Sequence, residues 1–502
     1  MLFKGTVKTY TFLVAMNVSV AMIAISTSIL ITHAVAPEEY GKYNLYLSLI
    51  SLAVMIFIAW PNAALLRFAR ENWSQKNNIG EALASRLILF FCGIIITGVL
   101  CWIFRFRSAS FIETKDNPFL LLLLGLCLFP LSDIAIYAAQ STSNFLSTGY
   151  TSLVNKSIFL IGLLVTIEMG VHRNWKTLAV FYIGGLALSS IIAFLYLPKE
   201  AWREFKPSKF MLGRILHYSW ALPFGALAAY VVNWVDSWVI RAYMGTKSVG
   251  IYTWAYQIVS IGGAVFSPTV ALFAPKMIDA KVAGEKIYFT LHVKRGLIVL
   301  IVLSILIDFG IVFLDPLMQF LGKSYQATYP VLLILIATLP IQFLGYWMTP
   351  VASTFEHLVP LFVLSNIGVA IIKTAFDLIL VPYFGIQGAA IATFIAFLFG
   401  SLSCFLLIKF KAPGLSSLKI KPFLLFLCIV PLGVFCILSG GPIVGSLLCL
   451  SVPVFSIVLT KYSGIFTAQD FDFMLNQTNA SLFKKAVAIC VRWIVMNKKE
   501  IS

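Results

Sequence analysis

Apolar stretches about twenty residues long, the length that crosses a hydrocarbon layer of ~30 Å, recur from one end of this 502-residue chain to the other. They fall near 12–35, 43–66, 85–104, 119–139, 151–169, 177–197, 219–244, 249–275, 293–314, 329–349, 358–381, 385–410, 422–439 and 442–460, fourteen windows in all. A backbone in hydrocarbon must satisfy its own hydrogen bonds, so windows of this length predict helices. The expected fold class is an all-α polytopic membrane protein with about fourteen transmembrane helices. Composition excludes an ordinary soluble domain, because 60% of the residues are hydrophobic and only 11% are charged.

A formal charge of +17 would suggest a nucleic-acid partner in a soluble chain. Here the Lys and Arg residues crowd into alternate loops, and no basic aromatic surface accompanies them. They report topology and attraction to anionic membrane lipid, with no nucleic acid implied. An even span count puts both termini on one side, and the basic loops assign that side to the cytoplasm. Lys4 and Lys8 precede an apolar run ending in Ala34-Val-Ala36, which resembles a signal-peptidase site. The run is too long for a signal-peptide core and Pro37 would follow the cut, so it is expected to remain as the first span.

The basic loop 198–218, with Lys199, Arg203, Lys206, Lys209 and Arg214, separates six spans from six more. The expected organisation is a six-helix lobe at 1–200, a cytoplasmic inter-lobe loop at 201–215, a second six-helix lobe at 216–411, an extra helix pair at 412–460 and a cytoplasmic amphipathic tail at 461–502. A shift of 209 positions lays Gly41-Lys-Tyr43 on Gly250-Ile-Tyr252, Ser51 on Ser260 and Arg67 on Lys276. Duplication with parallel repeats is the economical explanation. In the tail, Thr467-Ala-Gln-Asp470 has the form of a capping box. Beyond it, Phe483, Val487, Val491 and Ile494 share a helical face away from Lys484, Lys485 and Arg492, the pattern of a helix lying along the inner leaflet. Asp470-Phe-Asp472 matches the DxD of nucleotide-sugar enzymes, but no βα pattern surrounds it.

Ionisable groups are costly in hydrocarbon, about 2.5–3.5 kcal/mol each on insertion scales, so polar stripes within spans mark candidate sites. The densest runs from Tyr230 to Gln257. Tyr230, Asn233, Asp236, Ser237 and Arg241 recur there at helical spacing. The fourth span carries Asp133, Tyr137 and Gln140, the fifth Asn155 and Lys156, and the eleventh Asn366, Lys373 and Asp377. Each has a structural explanation as well: Lys373 and Asp377 at i, i+4 can neutralise each other, Asp133 can cap a broken helix, and Lys156 can snorkel to the inner interface. Prolines 61, 130, 223, 268, 340 and 431 fall within or near spans, where they bend helices. The eight cysteines lie mostly in apolar runs without metal-ligand spacing and read as small buried hydrophobes. Five scattered histidines read as loop or helix-end residues, so no metal site is expected.

The segment Val381-Pro-Tyr-Phe-Gly385-Ile-Gln-Gly388-Ala-Ala-Ile-Ala-Thr393 resembles the turn between the eleventh and twelfth helices of bacterial polysaccharide flippases. Pro37-Glu-Glu-Tyr-Gly41-Lys-Tyr, and Asp236 with the downstream Val249-Gly-Ile-Tyr252, resemble that family's signatures at its first and seventh helices. The family belongs to the multidrug/oligosaccharidyl-lipid/polysaccharide (MOP) superfamily. The resemblance implies two pseudo-symmetric six-helix lobes and export of an undecaprenyl-diphosphate-linked oligosaccharide across the bacterial inner membrane by alternating access. No catalytic residue, metal or cofactor is implied, although transport can be coupled to a proton or sodium gradient. Polysaccharide polymerase and chain-length proteins are the implied partners.

In the resembling family helices one, two, seven and eight line the cavity, which nominates Arg67, Tyr230, Asn233, Asp236, Arg241, Tyr252, Tyr256 and Gln257, with Lys373 and Asp377 on the eleventh span. Arg241 is the preferred phosphate ligand because its planar fork pairs bidentately. Asp236 is expected to neutralise Arg241 or to carry a coupling proton, and Asp133 is the second ion-coupling candidate. Two substrate classes compete, since many family members have twelve helices: the extra pair suggests a lipid II flippase, and a multidrug exporter is a third reading. From another class, a membrane polysaccharide polymerase or ligase would need a large outer loop for catalysis, whereas the longest here is about 105–118. The topology is checked by reporters fused after Arg214 and after Lys461, both of which should be active only on the cytoplasmic side; an external signal from either would overturn the span assignment.

Overall fold

Every regular element among the described residues is helical, as long apolar windows require. The structure, a computed structural model, describes residues 2–142, 144–171, 173–220, 222–264, 266, 270, 273, 277, 281, 284, 286–411 and 427–463. The first helices are α1 (Leu2–Ala34), α2 (Pro37–Val54) with a π turn at Met55–Ala59, α3 (Asn62–Lys76), α4 (Gly80–Ile103) and α5 (Arg105–Ile112). They continue through α6 (Phe119–Ser141), α7 (Phe145–Glu168), α8 (Trp175–Leu195), α9 (Lys209–Ser219), α10 (Leu222–Met244) and α11 (Thr246–Ala264). The remaining helices are α12 (Lys286–Val312), α13 (Leu314–Met318), α14 (Tyr329–Ile336), α15 (Leu339–Thr354), α16 (Val359–Lys411) and α17 (Ile429–Ser463). Lys276, the amphipathic tail with its capping box and DxD, and residues 412–426 of the extra pair lie outside the described residues.

Nine described stretches are long and apolar enough to cross a membrane, or ten if the bent pair α9 and α10 forms one span. The protein is a multi-pass membrane protein, and some neighbouring windows are joined by a tight turn within one helical stretch rather than by a loop. α16 holds two windows as the arms of a hairpin folded at Gly385 (φ 59°, ψ −137°), a conformation that a Cβ would forbid. The arms close tightly beyond the turn, since a Cβ on Gly388 would sit 2.4 Å from Leu380 O. Gly385 thus makes the reversal, and Gly388 allows the close approach of the two arms. The last two windows share α17. A Cβ on Gly445 would lie 2.7 Å from the Ile437 Cα, whereas eight residues of straight helix rise about 12 Å. The chain thus reverses near Gly440-Gly-Pro442.

The second window is shorter than its hydropathy suggested. After the π turn the helix breaks at Trp60-Pro61, and α3 starts afresh at Asn62, carrying Arg67 on an exposed surface. A missing proline N–H and altered ladder leave carbonyls to be satisfied at this break. Arg86 of α4 does so: it is fully buried, its Nη2 donating to Ile58 O at 2.6 Å and its Nε to Asn62 Oδ1 at 3.0 Å.

Packing divides the chain into two compact units, one within Met1–Val265, Leu321–Val331 and Asn366–Ala392, the other within Phe266–Phe320, Leu332–Ser365 and Thr393–Ser502. In the first, α7 and α8 pack side by side, α1 lies on α7, and α2 crosses α11. This crossing is made of backbone. A Cβ on Gly41 would sit 2.0 Å from Thr246 O, and a Cβ on Gly250 would sit 1.8 Å from Pro37 O. Gly250 and Thr246 are the positions on which the 209-residue shift lays Gly41 and Pro37, so positions that the shift equates meet through reciprocal contacts. α9, from the basic loop, packs on α3 and α4 in the same unit.

In the second unit α12 packs on α15 and α17. Its core includes Trp347, on which the His292 ring stacks at 4.8 Å while the indole N–H donates to His292 O at 2.9 Å. His292 is thus a buried core residue within α12 rather than a loop or helix-end residue. The cysteines also divide: Cys404 is buried, but Cys92 and Cys428 are exposed, so burial does not describe them all.

Because backbone carbonyls face Gly41 and Gly250, neither can accept a side chain by rotamer adjustment. Gly41→Val or Gly250→Val should destabilise the protein by about 1–3 kcal/mol or more, read as a lower melting temperature in detergent. Gly213→Ala, at a helical glycine with open space around it, should leave the melting temperature unchanged or slightly raised.

Candidate functional site

Within the first unit, α1, α2, α7, α8, α10 and α11 surround a cavity of about 390 Å³, within the size range of small-ligand sites. Its wall carries Tyr40, Tyr43 and Asn44 from α2, Asn155, Lys156 and Phe159 from α7, and Tyr182 from α8. Opposite in sequence, α10 contributes Asn233, Trp234 and Ser237, and α11 contributes Tyr252, Tyr256 and Gln257. The α2–α11 glycine contact positions two of these sets. It brings the helices so close that the Tyr40 hydroxyl donates to Gln257 Oε1 across the gap. The result is a polar, aromatic chamber among apolar helices.

Four of the residues nominated for the cavity, Asn233, Tyr252, Tyr256 and Gln257, line this chamber, as do Ser237, Asn155 and Lys156 of the polar stripes. Three others form a buried ionic cluster joined to its wall. Lys373 Nζ lies 2.8 Å from Asp236 Oδ2, both side chains being at most 1% exposed. The same ammonium donates to Val232 O and sits 5.5 Å from the Tyr256 ring centroid. Tyr252 donates its hydroxyl to Asp236 Oδ2 at 2.5 Å. Asp377, one turn beyond Lys373, is also fully buried and interacts electrostatically with both charges.

This arrangement corrects two pairings read from spacing. Asp236 neutralises Lys373 rather than Arg241, and Lys373 takes a partner from α10 instead of relying on Asp377 alone. Arg241 faces a different neighbourhood at the end of α10. Its Nε donates to Phe111 O at 3.0 Å and its Nη2 to Ser110 O at 2.7 Å, with Glu113 Oε1 3.7 Å from Nε. The guanidinium fork is occupied by the end of α5, where orphan helix carbonyls need donors.

The other expected residues are also outside the cavity wall. Arg67 is exposed on α3, 3.4 Å from Glu71 and over the Tyr218 ring. Tyr230 packs on Trp238, whose indole N–H donates to Ser48 Oγ at 3.1 Å. Asp133 on α6 has Arg86 and Tyr182 among its electrostatic neighbours. Sequence reasoning missed Arg86, although a basic residue just inside the third apolar window was a usable signal. It also left Tyr40, Asn44 and Tyr182 unassigned, because tyrosine and asparagine in a span carry no charge to draw attention.

A buried pair is strongly destabilised when one partner is removed, because the other charge is stranded in low dielectric. Asp236→Asn and Lys373→Met should each cost about 3–5 kcal/mol. The double variant should cost less than the sum of the two, a coupling measurable as a double-mutant cycle on thermal melts of the purified protein.

Comparison with known proteins follows the same lines. Residues 6–280 match the family model described as polysaccharide biosynthesis protein. The lipid II flippase MurJ, in an inward closed conformation, superposes with a TM-score of 0.70 at 14% identity, covering 91% of this chain and all of MurJ. An outward-facing multidrug resistance MATE transporter of the MOP superfamily gives a TM-score of 0.57 at 14% identity over 81% of this chain and 95% of the transporter. No curated protein sequence matches significantly. The structural likenesses establish the fold, and the match over more than half the chain establishes the lineage: the chain belongs to the polysaccharide biosynthesis protein family and has the MOP superfamily fold.

Proposed function

We propose that the protein is a flippase that carries an undecaprenyl-diphosphate-linked oligosaccharide from the cytoplasmic to the outer leaflet of the bacterial inner membrane, by alternating access and without covalent chemistry. The observation that carries this reading is the chamber of tyrosines and amides sunk among apolar helices, in a member of the polysaccharide biosynthesis family. Sugars offer hydroxyls and flat C–H faces, for which amides and aromatic rings are the matching chemistry. A lipid tail needs no such chamber and stays in the bilayer. Both termini face the cytoplasm in this reading, the repeat halves act as the two lobes, and polymerase and chain-length proteins take the product outside. Coupling to a proton or sodium gradient is assigned to Asp236, Lys373 and Asp377, where two carboxylates meet one ammonium. Asp133 is the second candidate for that role.

A second reading, lipid II as the substrate, draws support from the superposition with MurJ and from the helical hairpin in α17. Deleting the gene separates the alternatives. A flippase for surface polysaccharide predicts lipid-linked oligosaccharide accumulating on the cytoplasmic face, with cell-wall synthesis intact. Loss of cell-wall synthesis would point to lipid II, and unpolymerised units accumulating outside would indicate a polymerase and refute the transport reading. Complementation with Asp236→Asn at normal protein levels should lower export severalfold; unchanged export would remove Asp236 from the coupling role.

A further inference from the structure

One charged side chain faces the cavity, and it is positive. Lys156 contributes to the wall while no acidic side chain does. Lys156 forms no ion pair among the described residues, in contrast to Lys373, which is held by Asp236. Next to it in sequence, Asn155 also lines the cavity, and its Nδ2 is buried without a hydrogen-bond acceptor among the described residues. The amide is held in place by the close approach of α8, where a Cβ on Gly185 would lie 2.9 Å from Asn155 O and 3.2 Å from Asn155 Nδ2. Consecutive residues of α7 thus bring one ammonium and one unpaired amide to a cavity wall otherwise made of neutral groups.

Both groups are costly as they stand: a cation within the membrane requires a counter-charge, and a buried N–H requires an acceptor. An oxyanion supplies both at once through charge-assisted hydrogen bonds. Arg241 is unsuited to the task, since its fork already binds the carbonyls of Ser110 and Phe111. We propose that Lys156 Nζ, with the amide of the neighbouring Asn155, forms the anion-binding point of the cavity and holds an oxyanion of the transported headgroup. This assignment rests on the transport reading above. The oxyanion chemistry is common to a phosphate of the diphosphate bridge and to the carboxylate of an acidic sugar. Tyr40, Tyr43, Tyr182, Tyr252 and Tyr256 then surround the anchored group with rings and hydroxyls suited to the adjoining sugar.

The test is calorimetric titration of the full-length protein in nanodiscs of neutral lipid, using sodium pyrophosphate, sodium glucuronate and, as an uncharged control, glucose. At least one anion should bind the wild type. Lys156→Gln should weaken that binding roughly tenfold or more, as expected for loss of a charge-assisted contact, whereas Lys156→Arg should retain most of it. Response to pyrophosphate alone assigns the point to the diphosphate, and response to glucuronate alone assigns it to an acidic sugar. Absence of anion binding to the wild type, or equal binding by Lys156→Gln, would overturn the proposal. If Lys156→Gln does not fold, Asn155→Ala replaces it, and undiminished anion binding by that variant would be equally fatal. Normal oligosaccharide export with anion binding independent of Lys156 would sink this site alone; Lys156-dependent anion binding without any export defect on gene deletion would sink the transport reading and leave the site standing.

Discussion

The contact of Gly41 with Thr246 and of Gly250 with Pro37 sets the geometry of the first unit. Two helices meet here without intervening side chains, at a distance that any Cβ would prevent. In the membrane, where the hydrophobic effect does not drive helices together, close backbone approach of this kind is a main source of packing energy. Its consequence is local and chemical. Tyr40, Tyr43 and Asn44 on one helix and Tyr252, Tyr256 and Gln257 on the other are brought to the same chamber. The reciprocity follows the sequence register, because a shift of 209 positions lays Gly41 and Pro37 on Gly250 and Thr246.

Much of this was legible in the sequence. Hydropathy gave the helical class because hydrocarbon leaves the backbone few alternatives, and the 209-residue shift singled out the glycines that meet. The Tyr230–Gln257 stretch did supply residues to the cavity, since a polar face in a span must find water or a partner. Boundaries were less accessible. The second window ran on to residue 66 because Ala63, Ala64, Leu65 and Leu66 are apolar, yet Pro61 ends the span and they belong to α3. Hydropathy averages over a window and cannot sense a single missing N–H.

Pairings were the least legible. Spacing along one helix suggested Lys373 with Asp377 and Asp236 with Arg241, the partners one turn or so away. The folded chain prefers partners from other helices. Lys373 reaches Asp236 and Val232 O on α10, and Arg241 reaches the last carbonyls of α5. A lysine and an aspartate at i, i+4 can meet only on the helix surface, whereas partners on facing helices meet in the interior, where low dielectric strengthens their attraction. The intrahelical rule fails here for that reason: these residues are buried.

The Lys373–Asp236 pair also bears on how the chain enters the membrane. The two partners are 137 positions apart, and at about 5–20 residues per second roughly 7 to 27 s of synthesis pass between them. Throughout that interval α10 must reside in, or wait beside, the bilayer with an acidic group whose eventual counter-ion has not been made. The pair can therefore form only after α16 has been made, so the first unit is completed by a helix synthesised well after the one whose charge it neutralises.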